Sequence, residues 1–507
     1  MILKSATPLI ILVSTWLVAG CASISTDMQA RPVQVAISPA QSGIIARTAA
    51  RFADAAHPDQ SGFHLLDANA DALNWRLALI DSAESSLDLM YYLWYGDEAG
   101  QLLLKHVIRA AERGVEVRLL VDDLILIGDD KGLVALDRHP HIQLAIFNPK
   151  RQRKLGRALE FIGRFGELNT RMHNKLVVAD NHAAIIGGRN IGNHYFGLDE
   201  KYNFADLDVI GFGPVAQQSS ELFDHFWNSD WTVPAAQLPA RVTADEAREE
   251  FEKLRNQLKS SEVLVGFPVE PRDWSAEIGE LTPKLRPGSS EVVFDHFIDG
   301  ELQQAMRDPL GEAMDAAEKR IDIVNAYIIP GQNFIDGAAS LSNRGVDITI
   351  LTNSLESHDV PAVNSHYKKW RKPLLDAGVR LFEFRADPEI KKQVDTPPVV
   401  SGFSGLHSKA FVVDGRTVFI GSMNFDPRSA DINSEMGVLI DSPGLGQDAQ
   451  ELISRYTAPQ NAWQVTQSPD GVLTWISDEA SVTRQPARSS WQRVLDALFR
   501  LLPTSQL

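Results

Sequence analysis

The chain has 507 residues, 44 % apolar and 23 % charged, which suits two or three globular domains with substantial cores. Its 66 acidic residues outnumber 49 lysines and arginines, giving a net charge of −17. That balance excludes a general nucleic-acid binder, which needs clustered positive charge against phosphate. Local basic patches around an anionic substrate remain compatible with it.

The N-terminus, "MILKSATPLIILVSTWLVAGCAS", carries one charge at Lys4, an apolar run from Leu9 to Val18, and then small residues. This is a secretory leader pattern, and the run is short for a bilayer span. The only cysteine, Cys21, follows Val18-Ala19-Gly20, a stretch that resembles a bacterial lipobox. The resemblance implies cleavage after residue 20, acylation of Cys21 and, with Ala22 rather than aspartate next, an outer-membrane location facing the periplasm. An acylated Cys21 leaves no structural disulfide.

Residues 21–60 lack a clear period and read as a tether and lead-in. An internal duplication follows. "RMHNKLVVADNHAAIIGGRN" (Arg171–Asn190) and "GLHSKAFVVDGRTVFIGSMN" (Gly405–Asn424) both fit H-x-K-x4-D-x6-G-[GS]-x-N. His173 and His407 are 234 residues apart, as are Leu87-Asp88-Leu89 and Ile321-Asp322-Ile323 in upstream apolar strands. Each half reads as helix, apolar strand, helix, Arg-Gly turn, apolar strand and motif hairpin. Trp75, Leu79 and Ile80 mark the first helix by their spacing. Helices alternating with buried strands predict an α/β layer in each half and a bilobal molecule with a pseudo-two-fold axis. The lobes are expected at 61–240 and 291–455. Between them (241–290), Thr243–Leu258 predicts a charged helix capped at Thr243 or Asp245. Glu270–Ser290, rich in Pro, Gly and Ser, predicts an exposed connection.

In a strand, residues i and i+2 share a face, so His173 lies with Lys175 and His407 with Lys409. The apolar runs after them bury the strands. "DN" at Asp180 and "DG" at Asp414 suit hairpin turns. The Gly187-Gly188 and Gly421-Ser422 pairs permit close backbone approach before Asn190 and Asn424. Two such units across a pseudo-two-fold would gather paired imidazoles, ammoniums and amides around one point. That set suits a phosphodiester. One imidazole attacks phosphorus, the other protonates the leaving alkoxide, and fixed cations stabilise the transition state without a metal or cofactor. The candidate catalytic set is His173, Lys175, Asp180, His407, Lys409 and Asp414. The aspartates have a supporting role, fixing the turns and pairing with a lysine.

The two motifs resemble the paired HKD motifs of the phospholipase D superfamily, from about Ser61 to about Asp441. The resemblance implies two phospholipase D-like α/β sandwich lobes with the active site at their interface. It also implies His173 as nucleophile and His407 as acid/base, with phosphate held by Asn190, Asn424 and Ser422. A carboxylate after each motif orients its histidine, and Asp206 and Glu435 match those positions. The rival reading of Asp206-Leu207-Asp208 is a metal-binding D-x-D. Gly188 stands where many members have serine. The extension Asn424–Ser429 and Asn433-Ser434-Glu435 is similar to the membrane-phospholipid branch. The whole chain most resembles bacterial cardiolipin synthases of the cardiolipin synthase C subgroup. This implies phosphatidyl transfer, through a phosphohistidine, to phosphatidylglycerol, with phosphatidylethanolamine as another substrate. A membrane-anchored phospholipase D releasing phosphatidic acid is the alternative.

Two further segments bear on a lipid partner and a membrane surface. Lys150–Arg171 holds seven Lys/Arg against two Glu. It reads equally as a headgroup approach or as a solvated face. In the C-terminal segment 456–507, Trp491, Val494, Leu495, Leu498, Phe499 and Leu502 fall at helical spacing, flanked by Arg493 and Arg500. That pattern fits an interfacial helix or a terminal helix docked on the protein.

Overall fold

The computed structural model describes residues 32–55, 59–124, 130–150 and 169–501. The leader, Cys21, Leu502 and most of the basic segment lie outside the described residues. Two of that segment's cations, Lys150 and Arg171, are described and both are buried.

The first half contributes β1 (Ser61–Leu66), β2 (Ser86–Tyr91), β3 (Glu116–Asp122), β4 (Ile142–Phe147), β5 (Lys175–Ala179), β6 (Ala183–Gly187), β7 (Asp208–Phe212) and β8 (Thr232–Pro234). They hydrogen-bond in the order β8-β4-β3-β2-β5-β6-β7-β1. The second half contributes β9 (Arg286–Phe294), β10 (Arg320–Asn325), β11 (Asp347–Asn353), β12 (Arg380–Phe384), β13 (Lys409–Val413), β14 (Thr417–Gly421), β15 (Met436–Asp441) and β16 (Ala462–Gln467). Their order, β16-β12-β11-β10-β13-β14-β15-β9, repeats the first. The registers repeat as well: Leu87 faces Ala179 as Ile321 faces Val413. The α/β duplication expected from the sequence is thus present strand by strand.

Parallel strands at the centre of each sheet are joined by helices. Here α2 (Glu98–Glu112) joins β2 to β3 and α3 (Gln332–Asn343) joins β10 to β11, while α1 (Asn69–Ser82) leads from β1 into β2. Such strands are covered on both faces and read as unbroken apolar runs; β2, β5 and β13 are buried at every position. The helix α4 (Pro443–Tyr456) covers the second motif hairpin. The charged helix spans Ala244–Leu258, with a capping box between Thr243 and Glu246, as its sequence predicted.

The connection expected to be exposed is instead folded: the helix Ser275–Leu281 buries Ile278 and Leu281, with Trp274 and Leu285 buried beside it. Arg286–Ser290 belongs to β9, pairing with β1 at Phe63–Arg286, Gly62–Pro287 and Ser61–Gly288 and so joining the two sheets. Proline and glycine mislead there because β9 passes from one neighbour to the other along its length. Ser289 onward pairs with β15, so Pro287 sits in the short β1-paired start of β9 and not within its longer ladder. Among the described residues no helix is long and apolar enough to cross a membrane.

The motif aspartates are fold elements. Asp180 and Asp414 occupy the left-handed region (φ 54° and 51°) at the hairpin ends remote from the histidines. The Asp180 carboxylate accepts backbone N–H bonds from Glu84, Ser85 (2.7 Å) and Ser86 (3.1 Å), tying the hairpin to the entry of β2. Asp414 does the same to Glu318, Lys319 and Arg320 before β10. Three convergent amides occupy each carboxylate, in keeping with the turn-fixing role expected of them, and neither aspartate lines the cavity of the histidines, so within the candidate set they are structural. Asp180→Ala is expected to lower stability by about 1–3 kcal/mol, since it strands the buried Ser86 N–H and removes two part-buried bonds. The urea midpoint should fall while kcat per folded molecule stays near the parent value.

Candidate active site

Backbone bonds between the halves bring the two motifs together. His173 N–H donates to Ser434 O (2.9 Å), and Ser434 N–H donates to Arg171 O (2.9 Å). In the mirror position His407 N–H donates to Ala205 O (2.8 Å), extending a parallel pairing of Asn203–Ala205 with Ser404–Leu406. Each histidine therefore sits beside the segment that follows the other half's motif.

The orienting carboxylates are crossed as a result. His173 Nδ1 lies 2.8 Å from Glu435 Oε2, and His407 Nδ1 lies 2.6 Å from Asp206 Oδ2. Sequence reasoning assigned one carboxylate to follow each motif; the fold hands it to the opposite histidine. Both carboxylates are fully buried. Of the Asp206-Leu207-Asp208 pair, Asp208 is committed instead to the buried Arg76 (2.8 Å) and Arg189 (3.2 Å). The two carboxylates thus serve different partners, which disfavours the D-x-D metal reading.

The hydrogen bonds fix the imidazole tautomers. Ser422 Oγ accepts from Met436 N–H (3.0 Å), so its own proton goes to Glu435 Oε2 at 2.5 Å. An Oε2 accepting from serine accepts from His173 Nδ1–H too, leaving the Nε2 lone pair for the cavity. The resemblance implies a phosphate-holding role for Ser422; in the fold its hydroxyl holds Glu435. Asp295 reinforces that arrangement by accepting from Glu435 N–H (2.9 Å). In the first half the equivalent Gly188 leaves room for the shorter carboxylate. A Cβ at Gly188 would lie 2.3 Å from Asp206 Oδ1.

Charge divides the two pairs. Burial pushes the Glu435 carboxyl up to about 8, against the pull of Lys175 and Ser422. Its Oε1 has no partner among the described residues, in keeping with a reluctant anion. Burial also opposes ionisation of Asp206, but the charge and hydrogen bond of His407, with Lys409 and Arg189 nearby, hold that carboxyl at about 2. His173 is lowered well below the ordinary imidazole value by burial and by Lys175, Lys409 and His407. Burial and Lys409 lower His407 too, while Asp206 pulls it back up.

The ammonium groups flank the same centre. Lys175 Nζ donates to His173 O (2.5 Å) and Lys409 Nζ to His407 O. Burial depresses both ammoniums, so an incoming phosphate anion supplies charge that the site wants. The asparagines differ. Asn190 is held by Leu93 N–H and Tyr195 OH. Asn424 has one amide end without a partner among the described residues, and the N and O of that amide are interchangeable by rotation.

His173, His407, Asn190 and Asn424 line one cavity of about 390 Å³. Its walls include residues that the motifs do not contain: Tyr92, Tyr195, Phe204, Tyr327, Asp359 and Arg428. Tyr92 packs edge-on against His173 at 4.9 Å and sits 5.2 Å from Lys175 Nζ. Tyr327 makes the corresponding contact with Lys409 (5.8 Å) and is held by Asp359 (2.8 Å). Comparison of the halves misses this pair, because the 234-residue offset sets Tyr327 against Leu93. Asp122, at the end of β3, accepts from Met172 N–H (3.1 Å) and Arg171 (3.3 Å), so it braces the strand entering His173.

The crossed geometry predicts that Gly188→Ser displaces Asp206 from His407. A shift on that scale costs about 10²-fold in kcat. The measurement is kcat alongside the near-ultraviolet circular dichroism spectrum, which should remain that of the parent.

A family profile described as "Cardiolipin synthase, PLD-like domain" matches residues 77–227 and 310–457. The chain is similar to cardiolipin synthase C of Escherichia coli (strain K12), with 36 % identity over 483 residues, covering 89 % of this chain and 97 % of that protein. It is 25 % identical over 426 residues to a cardiolipin synthase of Staphylococcus aureus, covering 83 % of this chain and 69 % of that one. Among solved structures, phosphatidylserine synthase from Haemophilus influenzae Rd KW20 shares the fold. Its TM-score is 0.55 at 15 % identity, over 82 % of this chain and 91 % of that one.

Proposed function

The chain belongs to the cardiolipin synthase family of phospholipase D-like proteins, and from that premise we propose that it is a phosphatidyltransferase that makes cardiolipin through a phosphohistidine. The observation that carries the reading is the pair of crossed imidazole–carboxylate contacts facing one cavity.

His173 Nε2 attacks the phosphorus of a donor phospholipid. The bond to the headgroup oxygen breaks, and His407 Nε2–H gives that oxygen its proton. The freed alcohol leaves, and the hydroxyl of phosphatidylglycerol enters. His407 removes its proton, the oxygen attacks phosphorus, and the P–N bond to His173 breaks. With phosphatidylglycerol as donor the products are cardiolipin and glycerol; with phosphatidylethanolamine the alcohol is ethanolamine. Asp206, firmly ionised, supports a charged His407. Glu435 resists ionisation and leaves His173 uncharged, as a nucleophile requires. Lys175, Lys409 and the Asn424 amide hold the non-bridging oxygens. The leader and Cys21 support an acylated chain on the bacterial envelope, at the outer membrane facing the periplasm.

Mass spectrometry of products from phosphatidylglycerol and phosphatidylethanolamine tests the reaction. Cardiolipin is expected; phosphatidic acid alone would replace transfer by hydrolysis. A positioned general acid contributes about 10²–10⁴-fold, so His407→Ala should lose at least that much, and His173→Ala all turnover.

The charge asymmetry gives the pH dependence. His173 must be neutral and His407 protonated in the free enzyme. Both are lowered from 6.5, so kcat/KM on monomeric substrate should peak below pH 6.5 and fall as pH rises through the His407 value. Asp206→Asn removes the anion that raises His407 and should move the alkaline limb to lower pH. Glu435→Gln should leave that limb in place.

A further inference from the structure

The C-terminal helix α5 (Ser490–Phe499) is docked with its polarity reversed. Its buried positions are Gln492 (5 %) and Asp496 (2 %), and Leu495 and Phe499 are half-buried at the flank, whereas Trp491 (64 %), Val494 (46 %), Leu498 (56 %) and the following Leu501 (85 %) are exposed. These four apolar residues recur at i, i+3, i+7 and i+10, one stripe of a helix, and the two buried residues lie on the opposite side. The inward face is fastened by polar bonds. Gln492 donates to Leu355 O, and Asp496 accepts from Asn364 (2.6 Å) and Lys368 (2.7 Å). Arg488, just before the helix, donates to His358 O (3.0 Å). A helix held to its protein by an acid and an amide, with its apolar face turned out, is built for a second apolar phase.

The segment that receives the helix is also a wall of the catalytic cavity, through Asp359, Val360 and Val363. Lys369 and Trp370, directly after Lys368, line an apolar groove of about 740 Å³ with Phe334, Met423 and Phe425. That groove shares Asn424 and Asp426 with the catalytic cavity. Stripe, groove and cavity are thus continuous through one stretch of chain. Lys369, which lines the groove, is an exposed cation in a chain of net charge −17.

We infer that the Trp491–Leu501 stripe is a bilayer-docking face that beds into an anionic phospholipid surface and sets the groove and cavity against it. An amphipathic helix with aromatic and aliphatic residues turned outward binds such surfaces, and a cation on the adjoining groove favours anionic headgroups. The inference rests on the substrate's being a bilayer phospholipid, and its test does not require turnover.

The full chain carrying Cys21→Ser and Leu498→Cys has a single thiol, since the natural chain has one cysteine. An environment-sensitive dye on that thiol should shift to the blue on mixing with phosphatidylglycerol/phosphatidylcholine vesicles. The shift should be lost when Trp491 and Val494 are changed to glutamate. A dye spectrum unchanged by vesicles overturns the inference. So does a shift that appears without vesicles, rises with protein concentration and accompanies a dimer in light scattering, because a second copy then covers the stripe. In parallel, Trp491→Glu with Leu498→Glu should cut turnover on vesicles at least tenfold and leave turnover on short-chain monomeric phosphatidylglycerol unchanged. Loss on both, or on neither, contradicts it. A blue shift in a chain that makes no cardiolipin would instead overturn the proposed reaction.

Discussion

Two buried imidazole–carboxylate contacts, each spanning the two halves of the chain, are the constraint on which the rest depends. Burying an ionisable pair is costly unless its hydrogen bonds are complete. The fold meets that cost with inter-half backbone bonds on both histidines and with Ser422 and Asp295 around Glu435. Neither half can form a competent histidine alone, because each lacks the carboxylate that fixes its tautomer. The duplication is therefore tied to the chemistry, and the sheets joined through β1 and β9 keep the two sets in register.

The symmetry is broken where the two steps of the reaction differ. Gly188 with Asp206 gives a short, ionised partner to His407; Ser422 with Glu435 gives a longer partner, reluctant to ionise, to His173. One methylene, between Asp206 and Glu435, and one hydroxymethyl, between Gly188 and Ser422, separate the two arrangements. In the proposed mechanism, those small differences let two copies of one motif divide the work of nucleophile and acid.

Much of this was legible in the sequence. The repeat in H-x-K-x4-D-x6-G-[GS]-x-N, with its apolar strands at a 234-residue offset, is a covalent record of the duplicated α/β fold and of the residues that meet. Asp206 and Glu435 were found by position, but not their crossing, since partner choice between halves is set by long-range backbone pairing. The aspartates read as turn residues spaced with the reactive set; only the fold shows that three amides take each carboxylate. The aromatic walls escaped because Tyr92 and Tyr327 do not align between the repeats. In the C-terminal helix the apolar pattern was visible and its direction was not. Apolar stripes ordinarily face inward, and that expectation gives way to the polar bonds of Gln492 and Asp496.

The most direct measurement is the site of the covalent intermediate. The enzyme is mixed with a donor phospholipid, quenched within one turnover under alkaline conditions and digested for peptide mass spectrometry. A phosphatidyl group on His173 in the Arg171–Lys175 region is the result the account predicts. A phosphatidyl group on His407 would reverse the two roles, and turnover with neither histidine modified would contradict the covalent mechanism.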